Sequence, residues 1–483
     1  MTTTPKPAAP AKSSDKSPAT APQASKPPAP AVNSTAAKPA VGRLTEAELW
    51  SAFRGEFQRV RMPLGYRLGI LLAAVVMVGL IVVYLALIGL VAYGTYYHAV
   101  NDTALAGMGG TGRGRLLMVL VYVAPIFAGT VLVFFMIKPL LARPAQRERS
   151  RSLTRESEPL LFAFVDRVCE TVGAPRPKRI DVDCQVNASA SFRRGLWSMF
   201  GKDLVLTIGL PLMGGLTVEE FGGVLAHEFG HFTQGVGMRL TYLVQRISTW
   251  FLRVVYQRDV WDEHLAVLAG ELDIRIGWVV MLAQLGVWIG RSILWVLMHI
   301  GFLVSGILLR QMEFDADRCE ANFAGSAALV RTMRKLQILN AASQLAQVQA
   351  GEHLDEKRLV EDFPGLIQLN ARTIPAETVA AIDAEIAKSR TGWFDTHPSD
   401  RERIAAAEKL ARQGIFHLDR PAHQLMHDFP LQSKATTWDL YLVLFGPKVP
   451  RSALVPVAEF ARAAKSRWRD PDEAKRPEHY RYQ

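Results

Sequence analysis

The chain has 483 residues, 49% of them hydrophobic, more than a soluble core requires, which excludes a wholly water-exposed globule and places part of the apolar surplus in lipid. Its formal net charge is +11, but the basic residues flank apolar runs and no RNA- or DNA-binding motif is present, so the expected partner is a lipid bilayer and not nucleic acid. The three cysteines, Cys169, Cys184 and Cys319, form neither a CxxC pair nor an even framework, which excludes a disulfide scaffold and suits a reducing compartment.

Residues 1–42 are Ala, Pro, Ser, Thr and Lys with almost no large apolar side chains, so they bury too little surface to offset their ordering entropy and read as a disordered tail. From Leu44 to Val60 the residues Leu44, Leu49, Trp50, Phe53 and Phe57 recur at helical spacing, predicting an amphipathic helix that approaches the membrane. Leu68 to Tyr93 and Leu116 to Ile137 carry no charge, and each is long enough to cross a hydrocarbon layer of roughly 30 Å. Arg54, Arg59, Arg61 and Arg67 precede the first span, and Lys138, Arg143, Arg147, Arg149 and Arg151 follow the second. The positive-inside rule therefore puts the tail and everything after Lys138 in the cytoplasm.

Beyond residue 150 the pattern turns mixed, with a helix over Leu160 to Val172 and strands at Arg179 to Asp183, Gln185 to Phe192 and Asp203 to Ile208. Thr217-Val218-Glu219-Glu220 fits a capping box, with Leu216 and Phe221 as its hydrophobic staple, so a helix begins just before Val218. Into that helix falls His227-Glu228-Phe229-Gly230-His231, an HExxH pattern whose four-residue spacing brings both imidazoles to one face. Two rings can thus reach one ion, and Glu228 stands between them as general base for an attacking water. A His, His, carboxylate set suits the tetrahedral geometry of one Zn2+ per chain.

The third ligand must come from elsewhere. Glu313 is the best candidate, because it opens the acidic stretch Glu313-Phe314-Asp315-Ala316-Asp317 directly after a long apolar segment. Asp317 lies one turn on, placed to hydrogen-bond a ligand imidazole. Because His231 and Glu313 must meet at one ion, the intervening chain has to return to the side it left. This predicts a long helical hairpin, spanning the bilayer or packed beside it, with residues 236–256 prolonging the metal helix outward and Gly277 to Leu309 coming back. Arg239, Arg246 and Arg253 recur every seven residues on the outgoing arm, a stripe suited to a membrane surface or a water-lined cavity. His299 reads as a satisfied interior histidine. The uneven spacing of His417, His423 and His427 argues against a second metal site.

The motif set His227, Glu228, His231, then Glu313 and Asp317, then His397-Pro398 with Arg403-Ile404, resembles the M48 peptidases, the Ste24/HtpX-like integral-membrane gluzincins. Asn187-Ala188-Ser189-Ala190 is similar to the family's strand before the zinc helix, except that many relatives have an aromatic residue where Ser189 stands, which bears on the shape of the neighbouring pocket. The likeness covers roughly Glu156 to Leu410. It implies a zincin-like α+β catalytic domain, mainly α with a small β-sheet, attached to transmembrane helices. It further implies that the Asn187–Ala190 strand pairs with substrate backbone, and that Asn187 and His397 stabilise the oxyanion.

The organisation expected is a tail over 1–42, a membrane anchor over 43–150, a metallopeptidase domain over 151–410 that includes the hairpin at about 236–309, and a C-terminal extension over 411–483 whose charged end from Arg467 is mobile. The function expected is a membrane-bound zinc metalloendopeptidase hydrolysing polypeptide at the cytoplasmic face of a bacterial inner membrane, in membrane-protein quality control. Processing of a dedicated, prenylated peptide and a non-catalytic zinc-containing scaffold remain open at this stage. The sequence leaves the oligomeric state undetermined.

Overall fold

The computed structural model describes residues 42–60, 63–141, 150–192, 203–233, 236–257, 274–353, 358–447 and 449–467. The expected tail over residues 1–41 and the charged end beyond Arg467 lie outside them. After a short helix α1 (Glu46–Ser51) come two long helices, α2 (Leu64–Asn101) and α3 (Arg113–Leu141), each containing one of the uncharged runs. Strand β1 (Arg151–Leu153) and helix α4 (Pro159–Val172) follow, then β2 (Arg179–Asp183), β3 (Ala188–Phe192) and β4 (Leu204–Gly209). Next stand α5 (Leu210–Gly215), α6 (Val218–Gly230), α7 (Val236–Tyr256) and α8 (Ile274–Ala324). The chain continues through α9 (Ser326–Glu352), β5 (Leu359–Val360), α10 (Phe363–Thr373), α11 (Ala376–Lys388), α12 (Asp400–Leu410), α13 (Phe429–Phe445), β6 (Leu454–Val455) and α14 (Val457–Arg467).

The fold is α-rich with a small mixed sheet. Its four strands run in the order β1-β2-β4-β3. β2 and β4 are parallel, and β3 is antiparallel to β4 in the register Ala188 to Ile208. β3 has no partner on its outer side among the described strands, and it packs beside α6.

Two separate cores reflect two solvents. One gathers α4, the sheet and α6 around Phe164, Phe221, Phe229, Phe323 and Phe416. The other joins α2, α7 and α8 through Met77, Tyr84, Val244, Phe251, Leu294 and Met298, with Met136 of α3. Around this second core, Leu72, Val82, Leu120, Phe134, Trp288 and Leu303 stay exposed, a surface of a size that soluble proteins rarely leave in water. α2, α3 and residues 281–324 of α8 are long and apolar enough to cross a membrane.

Two local expectations are corrected. The amphipathic helix of residues 44–60 is only Glu46–Ser51 long, because the chain leaves it to pair Phe53 with Phe416 in a β-bridge, and the left-handed φ of 89° at Gly55 turns it further away. Its apolar residues face the catalytic core and not the bilayer: Leu49 is buried there, and Phe53 packs edge-on to Phe323 and tilted against Phe416. Nor do residues 236–256 prolong the metal helix. α6 ends at Gly230, where Thr233 Oγ1 and the Phe232 N–H bond back to the last turn, and α7 starts afresh at Val236. Gly has low helix propensity, and a break there frees the chain to turn away.

Candidate metal centre

α6 starts as its sequence dictates. Thr217 Oγ1 accepts from the Glu220 N–H, and the Glu220 carboxylate accepts from the Thr217 N–H at 2.9 Å. Buried Glu220 is also held by Lys335 Nζ at 2.7 Å. With the start fixed, the register of the helix sets where His227 and Glu228 point.

The opposing face comes from α8, which crosses α6 closely because the residues at the contact are small. A Cβ placed at Gly230 would stand 3.1 Å from Cys319 Cβ, and one at Gly223 would stand 3.1 Å from Ala324 Cβ. This approach brings Glu313 opposite the two imidazoles. His227 Nε2 lies 3.5 Å from Glu313 Oε2, and His231 Nε2 lies 3.9 Å from Glu313 Oε1. The imidazole planes are near-perpendicular at 89°, and one donor atom from each of the three residues falls within 4.8 Å of the others. Ligands about 2.0–2.1 Å from one tetrahedral ion stand roughly 3.3 Å apart, so the spacing fits three donors around one metal.

A second group, His227, Asp317 and Glu320, also lies within metal-ligand reach. It fits less well, because Asp317 is already committed. Arg403 donates to it twice, Nη2 to Oδ1 at 2.6 Å and Nε to Oδ2 at 2.9 Å, and Asp317 Oδ1 lies 3.1 Å from His227 Nδ1. An Arg–carboxylate fork behind the far nitrogen of a ligand imidazole orients that ring and leaves Nε2 for the ion.

Burial and charge set the protonation of the group. Burial pulls His231 down to about 4, with Glu313 opposing, which keeps the ring neutral and able to donate its lone pair. At His227 burial acts downward, but the neighbouring carboxylates, Asp317 at 3.1 Å from Nδ1 and Glu313 at 3.5 Å from Nε2, prevail and raise it above the usual histidine value while no cation shares the site. Burial pushes the Glu228 carboxyl up to about 7, His227 opposes and Glu313 adds, while the Ala190 N–H and Arg403 favour the carboxylate. His397 is raised by its bond to Glu313 against the effect of burial.

The strand and the HP loop converge on the same point. Asn187, Ala188, His227, Glu228, Glu313 and His397 border two cavities, of about 320 and 280 Å³. One continues between α9 and α12 past Thr332, Leu336 and Asp400; the other runs along Ser189 and Ala190 to Tyr242 and Gln245 on α7. His397 Nδ1 reaches within 3.3 Å of Glu313 Oε1. Thus His227, Glu228, His231, Glu313, Asp317, Asn187, Ala188, Ser189, Ala190 and His397 all assemble at one cleft.

The other expectations resolve individually. His299 is partly exposed, its Nδ1 2.8 Å from the Trp295 carbonyl. His417 pairs with Glu219, His423 stacks on Phe429, and neither belongs to a metal-sized group among the described residues. All three cysteines are free and buried. Sequence reasoning missed Glu320, buried 3.7 Å from His227 Nδ1, and the crossing role of Gly230. The glycine could have been suspected, since a residue of poor helix propensity inside the motif calls for a packing reason.

An HExxH helix beside an edge strand, completed by acids from a long apolar helix, defines a membrane-associated metalloprotease, whose substrate is polypeptide. Residues 157–411 match the family described as peptidase family M48, and the chain belongs to it. It is similar to protease HtpX homolog 2 of Methanosarcina mazei, 26% identical over 263 residues that cover 54% of this chain and 76% of that one. It is also similar to protease HtpX of Acinetobacter baylyi, 24% identical over 310 residues covering 63% and 89%. No solved structure matches it.

Proposed function

We propose that the protein is a zinc-dependent endopeptidase with one ion per chain, held by His227, His231 and Glu313. The observation that carries the reading is the convergence of these donors within 4.8 Å beside half-buried Glu228. Zinc, when bound there, supplies the Lewis acid that polarises a peptide carbonyl and acidifies a water. Glu228 takes the proton from the attacking water, whose oxygen bonds to the carbonyl carbon. The same carboxyl then gives the proton to the departing amine as the C–N bond breaks. Asp317, fixed by Arg403, holds the His227 ring. The outer edge of β3 together with Asn187 just before it, residues Asn187 to Ala190, receives the substrate backbone as an added strand. Asn187 and His397 donate to the oxygen that gains charge.

The basic flanks of the spans support a cytoplasmic active site in the inner membrane, with the tail over 1–42, the anchor over 43–150, the peptidase domain over 151–410 and the extension over 411–483. A site that reads backbone beside a lipid-facing helix suits damaged or unassembled membrane proteins, and thus quality control. The test is cleavage of casein by detergent-purified protein, with zinc measured in the same sample. Glu228→Gln is expected to keep its zinc and lose about 10²–10⁴-fold in rate. An unchanged rate with zinc retained would overturn the mechanism.

A further inference from the structure

The loop that brings His397 to the cleft starts at a tight turn that the catalytic chemistry does not use. At the tip, Gly392 N–H donates to Asp395 Oδ2 at 2.7 Å and Asp395 N–H to the Gly392 carbonyl at 3.4 Å. Its base is closed by Ser399 N–H on Thr391 Oγ1 at 2.8 Å. A turn closed at both ends needs no apolar residues at its tip, yet it carries Trp393 and Phe394, which are 81% and 47% exposed.

The turn does not project into open space. Arg310 Nη1 donates to the Asp395 carbonyl at 2.7 Å, and the backbone of α8 at Gly306 lies against the same carbonyl. The Phe394 ring packs edge-on to His299 at 4.6 Å, and His299 packs on Trp295 at 3.9 Å. The turn is therefore laid along α8 on its exposed apolar side, where Trp295, Ile300, Leu303 and Ile307 face outward.

The neighbouring span gives the level of this cluster. α3 and α8 run side by side in the same direction, with Phe135 against Gly286 and Met136 against Gly290. At a common rise of 1.5 Å per residue, the end of α3 at Leu141 then stands level with Trp295, just past Lys138, the first charge after the uncharged run. On the other side α2 runs antiparallel to α8, with Gly69 against Leu308 and Met77 against Gly301, so Arg67 stands level with about Arg310, and Trp295, His299, Phe394 and Trp393 thus lie between the levels of the two basic flanks, Lys138 and Arg67, beside the lipid-facing apolar surface of α8.

We propose that the Gly392–Asp395 turn is a membrane contact, with Trp393 and Phe394 facing lipid beside α8. The occupant of this face is lipid, because the aromatic tip continues the exposed apolar surface of a membrane-length helix. His397 follows Phe394 by three residues, so the placement of its ring at Glu313 is tied to the bilayer through one short loop. The inference rests on the membrane association of the chain and not on its proteolytic chemistry.

The test is spin-label accessibility in proteoliposomes of phosphatidylethanolamine and phosphatidylglycerol. Trp393→Cys and Phe394→Cys are labelled with a nitroxide, alongside Trp288→Cys on the lipid side of α8 and Ala387→Cys on exposed α11. The native cysteines are buried and leave the new thiol as the reactive one. At both tip positions the ratio of oxygen to nickel-complex collisions is expected to exceed that at Ala387 at least threefold and to approach that at Trp288. A ratio equal to that at Ala387 would overturn the proposal, and so would protection from both reagents, which would place protein over the tip. No activity enters this readout, so its failure leaves the protease reading standing, and failure of that reading leaves it intact.

Discussion

His227, Glu228 and His231 reach the cleft from a single helix, within five residues of chain, whereas Glu313 and Asp317 arrive on α8 after the chain has passed through the α7–α8 hairpin. The first half of the site is fixed by local rules: a capping box sets the start of α6, and helical periodicity does the rest. The second half is fixed by packing, through glycines that let α8 approach and an arginine from α12 that holds Asp317. The contrast teaches that the histidine pair is set by local rules, while its meeting with Glu313 depends on a crossing that two small residues permit.

The crossing is the place to break this relationship most severely. Gly230→Val would put branched carbon where even a Cβ is 3.1 Å from Cys319 Cβ, so α6 and α8 must separate and Glu313 withdraw. Casein cleavage is expected to fall at least ~10³-fold with zinc content lost, since ion and base chemistry fail together. Gly230→Ala, which asks the neighbour to give a few tenths of an ångström, should retain measurable activity. Equal zinc and rate in both variants would show that the crossing does not control the site.

Removal of Arg403 is a narrower cut. Arg403→Met leaves Asp317 buried without its bidentate partner, and a buried carboxylate stripped of its cation costs about 3–5 kcal/mol. Thermal unfolding should report the loss, and adding Asp317→Asn to the same chain should recover part of it. If the double variant is no more stable than Arg403→Met, the pair is not the source.

The smallest effect expected is in the pH profile. Burial raises Glu228 to about 7, and a base must be deprotonated to accept a proton. Cleavage should therefore rise with pH, tenfold per unit on the acid side, and level off above an apparent pKa no higher than about 7, because a nearby bound cation favours the carboxylate. Glu228→Gln should remove this limb from whatever slow rate remains. A limb that persists in the variant belongs to another group.

Much of this was legible before the structure. Uncharged runs in α2 and α3, the strands β2 and β4, and the start of α6 follow from patterns that span a few residues, and the observed bounds lie close to those expected. The return of Glu313 to the histidines could be argued as well, because an ion imposes a distance constraint on residues remote in sequence. What the sequence hid were contacts with no local signature. Phe53 looks like one stripe of a membrane-seeking helix, but it completes a three-ring cluster with Phe323 and Phe416. Glu320 looks like one acid among several, but it is buried beside His227. Both depend on which surface lies opposite, which periodicity cannot supply.

The central claim is that one carboxylate of α8 completes a three-donor site begun on α6. Zinc stoichiometry and X-ray absorption fine structure on wild-type protein and Glu313→Ala, in the same detergent, test it most directly. The account predicts about one zinc per chain in the wild type, with two imidazoles and oxygen at about 2.0–2.2 Å and no sulfur, and loss of tight zinc in the variant. Full zinc content in Glu313→Ala with an unchanged first coordination sphere would contradict it.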